Sequence, residues 1–240
     1  MSKNKHMLPE TALTVGVHRA TAGAPSLVQG AYGARGNLEL VSCDQTDGLW
    51  VFWFNSDLPT DQLATPDVPP GSWSDGLRFA TGERYVDAQI LQSTLGADAD
   101  GRGHLEVLAL TAEGVLQSWY WSPGPGFQRR VRDAAIGVGA FVATLDRGML
   151  RITVRGSSPA GMRHLVSPAR DYPSRTWLSS EAGPSLAVDA TDDVAAAGVA
   201  RDAILPGTAR CAVSGRGGRT TELTWRDTGG GIRHLGIPAT

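Results

Sequence analysis

The chain has 240 residues, enough for one domain or one closed array of repeats with a real core. A formal charge of −2 argues against a nucleic-acid-binding field or an acidic tail. The 30 glycines and 14 prolines, with 17 of the 24 acids being aspartate, are the turn chemistry of many short strands, and lysine only at positions 3 and 5 leaves none in the body for Schiff-base or lysine-base catalysis.

In chain order, the opening "MSKNKHMLPE" has no apolar signal core, and no run of 18 apolar residues occurs anywhere. A soluble, cytoplasmic protein with no membrane partner is therefore expected. The stretch 11–23, "TALTVGVHRATAG", reads as an outer strand donated to the last repeat, carrying His18 and Arg19 as a possible proton-transfer or anion-binding pair. "GAPSLVQGAYG" (23–33) opens the first unit. "GNLELVSCDQTDGLWVFW" (36–53) follows as two strands joined by an Asp47-Gly48 turn, with Leu38 and Leu40 alternating around Glu39 in the manner of a half-buried strand. The Pro-rich insertion 57–76 is a long loop holding Trp73, and "LRFATGE" is a fourth strand.

The second unit repeats the first. "VDAQILQSTLG" (86–96) stands where "GAPSLVQGAYG" stood, and Gly103-His104-Leu105-Glu106-Val107 answers Gly36-Asn37-Leu38-Glu39-Leu40. Glu113-Gly114 answers Asp47-Gly48, and Trp119 with Trp121 answers Trp50 with Trp53. A third copy runs from "GAFVATLDRG" (139–148) through Gly148-Met149-Leu150-Arg151-Ile152 to "SRTWLSS". "GPSLAVDATDD" (183–193) is expected to open a fourth. No segment holds a 3.6-residue stripe, so the fold class is all-β. The units 24–86, 87–136, 137–183 and 184–229 are strand quartets, which points to a small β-propeller of 1–240. Residues 231–240 either complete the fourth blade with the N-terminal strand or begin a fifth. Cys43 and Cys211 lie in separate apolar runs and are expected as buried thiols rather than a disulfide.

The "Gly-x-Leu-x-Val" strand, the "Asp-Gly-x-Leu-x-x-x-Trp" turn and the tryptophan strand that follows resemble bacterial propeller lectins of the PLL and tectonin-like kind. Here they are carried by Gly36–Leu40, Asp47-Gly48-Leu49 and Trp53, and by Gly103–Val107 with Glu113-Gly114. The resemblance covers roughly residues 24–180. It implies a propeller and, between blades, carbohydrate held by aromatic stacking. The third unit departs from it, with Arg163-His164 in place of the tryptophans, and the fourth keeps only Trp225. Multivalent lectins need like sites in each unit, so this divergence favours one site.

The candidate ligand-binding residues are Trp50, Trp53, Trp73, Trp119 and Trp121, because aromatic faces stack on sugar C–H edges, and Tyr32 and Gln92, which are expected with Asp146 and Asp189 on the first strands lining a central channel, where polar groups orient a ligand. Aromatic packing between blades is the structural alternative for the tryptophans. Candidate catalytic groups are Asp146, Asp189 and His18, with a turn or edge-strand polar residue as the plainer reading of each. Glu39, Glu106 and Arg151 share one position in three units, either as a charged site or as an inter-blade salt-bridge layer. The five histidines have no metal spacing, no cofactor is expected, and one "SGRGGRT" is a glycine turn rather than an RNA element. The leading expectation is a lectin-like binder of a glycan or other small, partly apolar ligand. The alternative is a metal-independent enzyme of small-molecule metabolism with a single central pocket.

Overall fold

The computed structural model describes residues 12–61, 67–96, 101–157, 161–186 and 189–239. It is all-β and propeller-like, with four antiparallel sheets of four strands among those residues. The first sheet is β2 (Thr21–Gln29), β3 (Leu38–Asp44), β4 (Leu49–Phe54) and β5 (Leu77–Phe79). The second is β6 (Tyr85–Gln92), β7 (Leu105–Thr111), β8 (Leu116–Ser122) and β9 (Gly126–Arg129). The third is β10 (Val138–Asp146), β11 (Met149–Gly156), β12 (Met162–Ser167) and β13 (Leu178–Ser180). The fourth is β14 (Arg210–Ser214), β15 (Thr220–Arg226) and β16 (Ile232–Pro238), and β1 (Leu13–Val15) is its outermost strand. Leu13 pairs with His234 and Val15 with Ile232, so the two ends of the chain share one sheet.

Turn residues set the joints. Gly48, with φ of +79°, lets β3 reverse into β4, and a Cβ there would come within 2.8 Å of the Phe79 carbonyl. Successive sheets pack face to face on apolar layers. Val41, Val51, Ile90 and Val107 fill the space between the first and second sheets. Leu108, Leu110, Phe141 and Ile152 fill the space between the second and third. Leu38, Leu40, Phe54 and Ile232 join the fourth sheet to the first. Because both faces of β3 and β7 are covered, every residue of these strands is buried. The alternation expected of a half-buried strand is thus corrected: the polar positions Glu39 and Glu106 are buried as well.

The expected first strand of the fourth unit is also corrected. Residues 183–193 form no strand among those described; the short helix α1 (Thr191–Ala196) begins there, and β14 opens the sheet. The connection carries Ala190, Val194, Ile204 and Ala209 onto Leu223 and Trp225, giving the fourth sheet its apolar cover. Among the described residues no helix is long and apolar enough to cross a membrane.

Candidate functional site

The first strands of all four sheets line one cavity of about 490 Å³, reached by Ser26 and Val28, Gln89 and Leu91, Ala143, and Arg210 with Ala212. Many of its polar groups are committed to holding the sheets together. Gln89 accepts from the Ala143 N–H at 2.8 Å and donates to the Ala143 carbonyl at 2.7 Å, clasping the third sheet to the second. The Ile90 N–H donates to Ser26 Oγ at 3.2 Å, clasping the second to the first. What the cavity adds is Asp87, whose carboxyl burial pushes up to about 6 against the opposing pull of Arg210. Cys211, expected to be buried, is exposed instead. It sits on β14, a first strand, and so lines this cavity rather than a core layer.

A second cavity, of about 240 Å³, opens between the first and second sheets. Trp53 on β4, Trp121 on β8, Phe127 on β9 and Tyr32 from the β2–β3 turn form its walls, with Glu39 and Asn37 as polar lining. The ring of Tyr32 meets that of Trp121 edge-on, 4.8 Å between centroids and 88° between planes. Register explains why these side chains meet. Glu39 lies opposite Trp53, and the alternate face of β3 carries Leu38 and Leu40 toward the fourth sheet. Trp121 lies opposite Leu105 on the face of β7 that looks back at the first sheet. Gly30 gives the glutamate its place, since a Cβ there would lie 2.8 Å from Glu39 Cγ.

Glu39 is only 5 % exposed and makes no hydrogen bond or ion pair among the described residues. Burial pushes its carboxyl up to about 8, so near neutral pH the group holds its proton. The indole N–H of Trp53 is likewise buried without an acceptor among the described residues. The cleft therefore offers an apolar, aromatic box with one buried carboxyl and a buried indole N–H that lacks an acceptor among the described residues, a combination suited to orienting a small ligand.

The sequence candidates fall in several places. Tyr32, Trp53 and Trp121 are brought together in this cleft; Tyr32, Gln92 and Asp146, expected on the central channel, do not line the central cavity, because they lie at or beyond the ends of the first strands. Gln92 holds the turn that carries Tyr32: its Oε1 accepts from the Ala31 N–H at 2.9 Å and its Nε2 donates to the Gly103 carbonyl at 2.8 Å. Trp119 packs edge-on against Phe79, 5.9 Å between centroids. Trp50 donates to Asp44 Oδ2 at 2.7 Å, stacks on Phe52, and has the Arg19 guanidinium 4.6 Å from its ring. Trp73 folds back on Phe54 and His234, 5.5 and 5.3 Å away, between the first and fourth sheets. Asp189 reaches the central cavity, Asp146 is 72 % exposed beside Arg147, and His18 lies in an exposed turn. The three candidate catalytic groups are thus not assembled into one site.

No family model matches the chain, and no characterised relative matches its sequence. A solved structure that it resembles is that of a thermostable family-43 glycoside hydrolase, with 13 % identity and a TM-score of 0.37. The match covers 89 % of this chain and 70 % of that one. At that level the likeness carries no argument about what this chain binds.

Proposed function

We infer that the chain is a lectin-like ligand-binding propeller: four blades closed into a ring by β1, with one small ligand, a sugar residue or another partly apolar molecule, held between the first and second blades. The observation that carries this reading is Glu39, buried and without a partner among the described residues, facing a cleft walled by Trp53, Trp121 and Tyr32. Burial disfavours the charged form of a glutamate there, and a ligand that completes its hydrogen bonds offsets that cost. The aromatic walls supply stacking surface, and a volume near 240 Å³ suits one compact unit rather than an oligosaccharide. Binding between blades through aromatic faces is also what the resemblance to propeller lectins implies. Among the described residues only this interface joins a tryptophan pair to a bare carboxyl, in keeping with one site rather than several. Titration of tryptophan emission with a glycan and small-molecule panel tests the reading. Binding lost in Trp53→Ala and Trp121→Ala but kept in Trp50→Ala supports it; binding indifferent to the cleft variants sinks it.

Asp87 favours a second reading, an enzyme acting in the central cavity. Its raised carboxyl beside Arg210 suits a general acid. Turnover of a small molecule that is lost in Asp87→Asn, with the cleft variants active, would make this the better account.

A further inference from the structure

The cleft is one of three interfaces built on the same plan. Glu39, Glu106 and Glu222 occupy one register position on the second strand of their sheets, opposite Val28, Leu91 and Ala212 of the first strands. All three are buried. In two of the interfaces the carboxylate meets a cation that also rests on an aromatic face. Arg130 donates to Glu106 Oε2 at 2.9 Å, and its guanidinium carbon lies 5.0 Å from the Tyr120 ring and 5.6 Å from that of Tyr172. Arg175 donates to the same carboxylate and lies 5.4 Å from Tyr172. Arg216 grips Glu222 with two hydrogen bonds of 2.9 Å and lies 4.9 Å from Phe54.

The first interface has the glutamate and the aromatic faces and, among the described residues, no cation on the carboxyl. Arg102 lies 5.7 Å from the Tyr32 ring but is not one of the groups lining the cleft. Trp53 stands opposite Glu39 as Tyr120 stands opposite Glu106. Two residues along, Ser118 accepts from the N–H of Arg130, whereas its counterpart Val51 pairs with Leu77. Leu77 thus fills the place of Arg130, and it lines the cleft. Nor, among the described residues, is there a counterpart of Arg175. That residue arrives from the long connection between Ser167 and Leu178, while Ser122 and Gly126 of the second sheet are joined by a tight turn.

We propose that the cleft binds a compact organic cation, an alkylammonium or guanidinium group, seated between Glu39 and the tryptophan faces as the arginines are seated in the other two interfaces. The proposal rests on the reading that this cleft is the ligand site. Bound cation and carboxylate satisfy one another in a water-poor space, and the ring faces add cation–π attraction. An uncharged ligand of the same shape leaves the carboxyl protonated and gains neither.

The test uses the whole chain and two matched pairs of probes: choline against its uncharged isostere dimethylbutanol, and glucosamine against glucose. Affinities are read by calorimetry and tryptophan emission. The charged member of each pair is expected to bind about tenfold or more tightly than the neutral one, and to lose that advantage in Glu39→Gln. The melting temperature and near-ultraviolet dichroism of the variant establish that it is folded, and the matched-pair comparison on the wild type decides without it. Equal affinity within each pair, or a charge preference that survives Glu39→Gln, overturns the cation while leaving the cleft as the site. Binding of the neutral probes in the cleft, with the charged ones excluded, overturns it in the same way. No response from any probe removes both the cation and the reading beneath it.

Discussion

Replacing Glu39 with glutamine separates the electrostatics of the cleft from the rest of the fold. Burial moves this carboxyl from an ordinary 4.5 to about 8. Between those limits the folded protein holds a proton that the unfolded chain has released, so stability is greatest at the acid end and falls as pH rises toward the folded value. Each pH unit in that window removes ~1.36 kcal/mol from the wild type, and the loss levels off above it. Asp87, raised to about 6, adds a similar fall, confined to the lower part of the window. Glutamine at position 39 fills the same space and cannot ionise. Urea or thermal unfolding of both proteins should therefore show the variant gaining about 3 kcal/mol on the wild type between about pH 5.5 and 8. In melting temperature that is roughly 6–12 °C for a chain of this length. Parallel pH curves for the two proteins would show that Glu39 is solvated or paired, and the account of the cleft would fall with it.

Other consequences follow from the same contacts. Trp73→Ala removes a ring packed on Phe54 and His234 and should cost ~3–5 kcal/mol of stability while leaving ligand affinity unchanged; Trp53→Ala should abolish binding, with both read by melts and titration. Leu77→Arg sets a guanidinium at the register of Arg130; it should flatten the neutral-pH stability slope attributed to Glu39 and displace bound probes in calorimetry. Burial disfavours the charged form of Glu222, but hydrogen bonds from His234 and Arg216 outweigh it and hold the group at about 2. Its contribution, present above the ordinary 4.5, is lost as pH falls toward 2, and should amount to ~3 kcal/mol. An acid titration by circular dichroism should accordingly be shallower in Glu222→Gln than in the wild type.

Much of the architecture was legible in the sequence because turns and strand repeats are local. Gly36-Asn37-Leu38-Glu39 and Gly103-His104-Leu105-Glu106 align by eye, and the strand quartets of the first three sheets follow from them. The misplaced element has a local cause too. "PSLAVDA" copies the composition of "PSLVQGA", but composition does not supply a neighbouring strand, and β14 is what pairs with β15. The candidate site was harder to read because its decisive feature is a carboxyl, that of Glu39, with no partner among the described residues. Arg175 reaches Glu106 across 69 residues of chain, so no local pattern shows that one glutamate is neutralised and its twin is not. Trp73 looked available in a Pro-rich loop, but that loop returns to bridge Phe54. Asp87 was hidden by a register irregularity between Tyr85 and Asp87, which shifts which residues of β6 face the cavity. Similar irregularities interrupt β2 and β10 near their starts.

The most direct measurement is a crystal structure of the protein grown with choline or glucosamine at saturating concentration. Density is expected between Glu39, Trp53 and Trp121, with the cationic nitrogen in hydrogen-bond or ion-pair reach of the carboxylate. Density beside Asp87 in the central cavity, with the cleft between the first and second sheets empty, would contradict it.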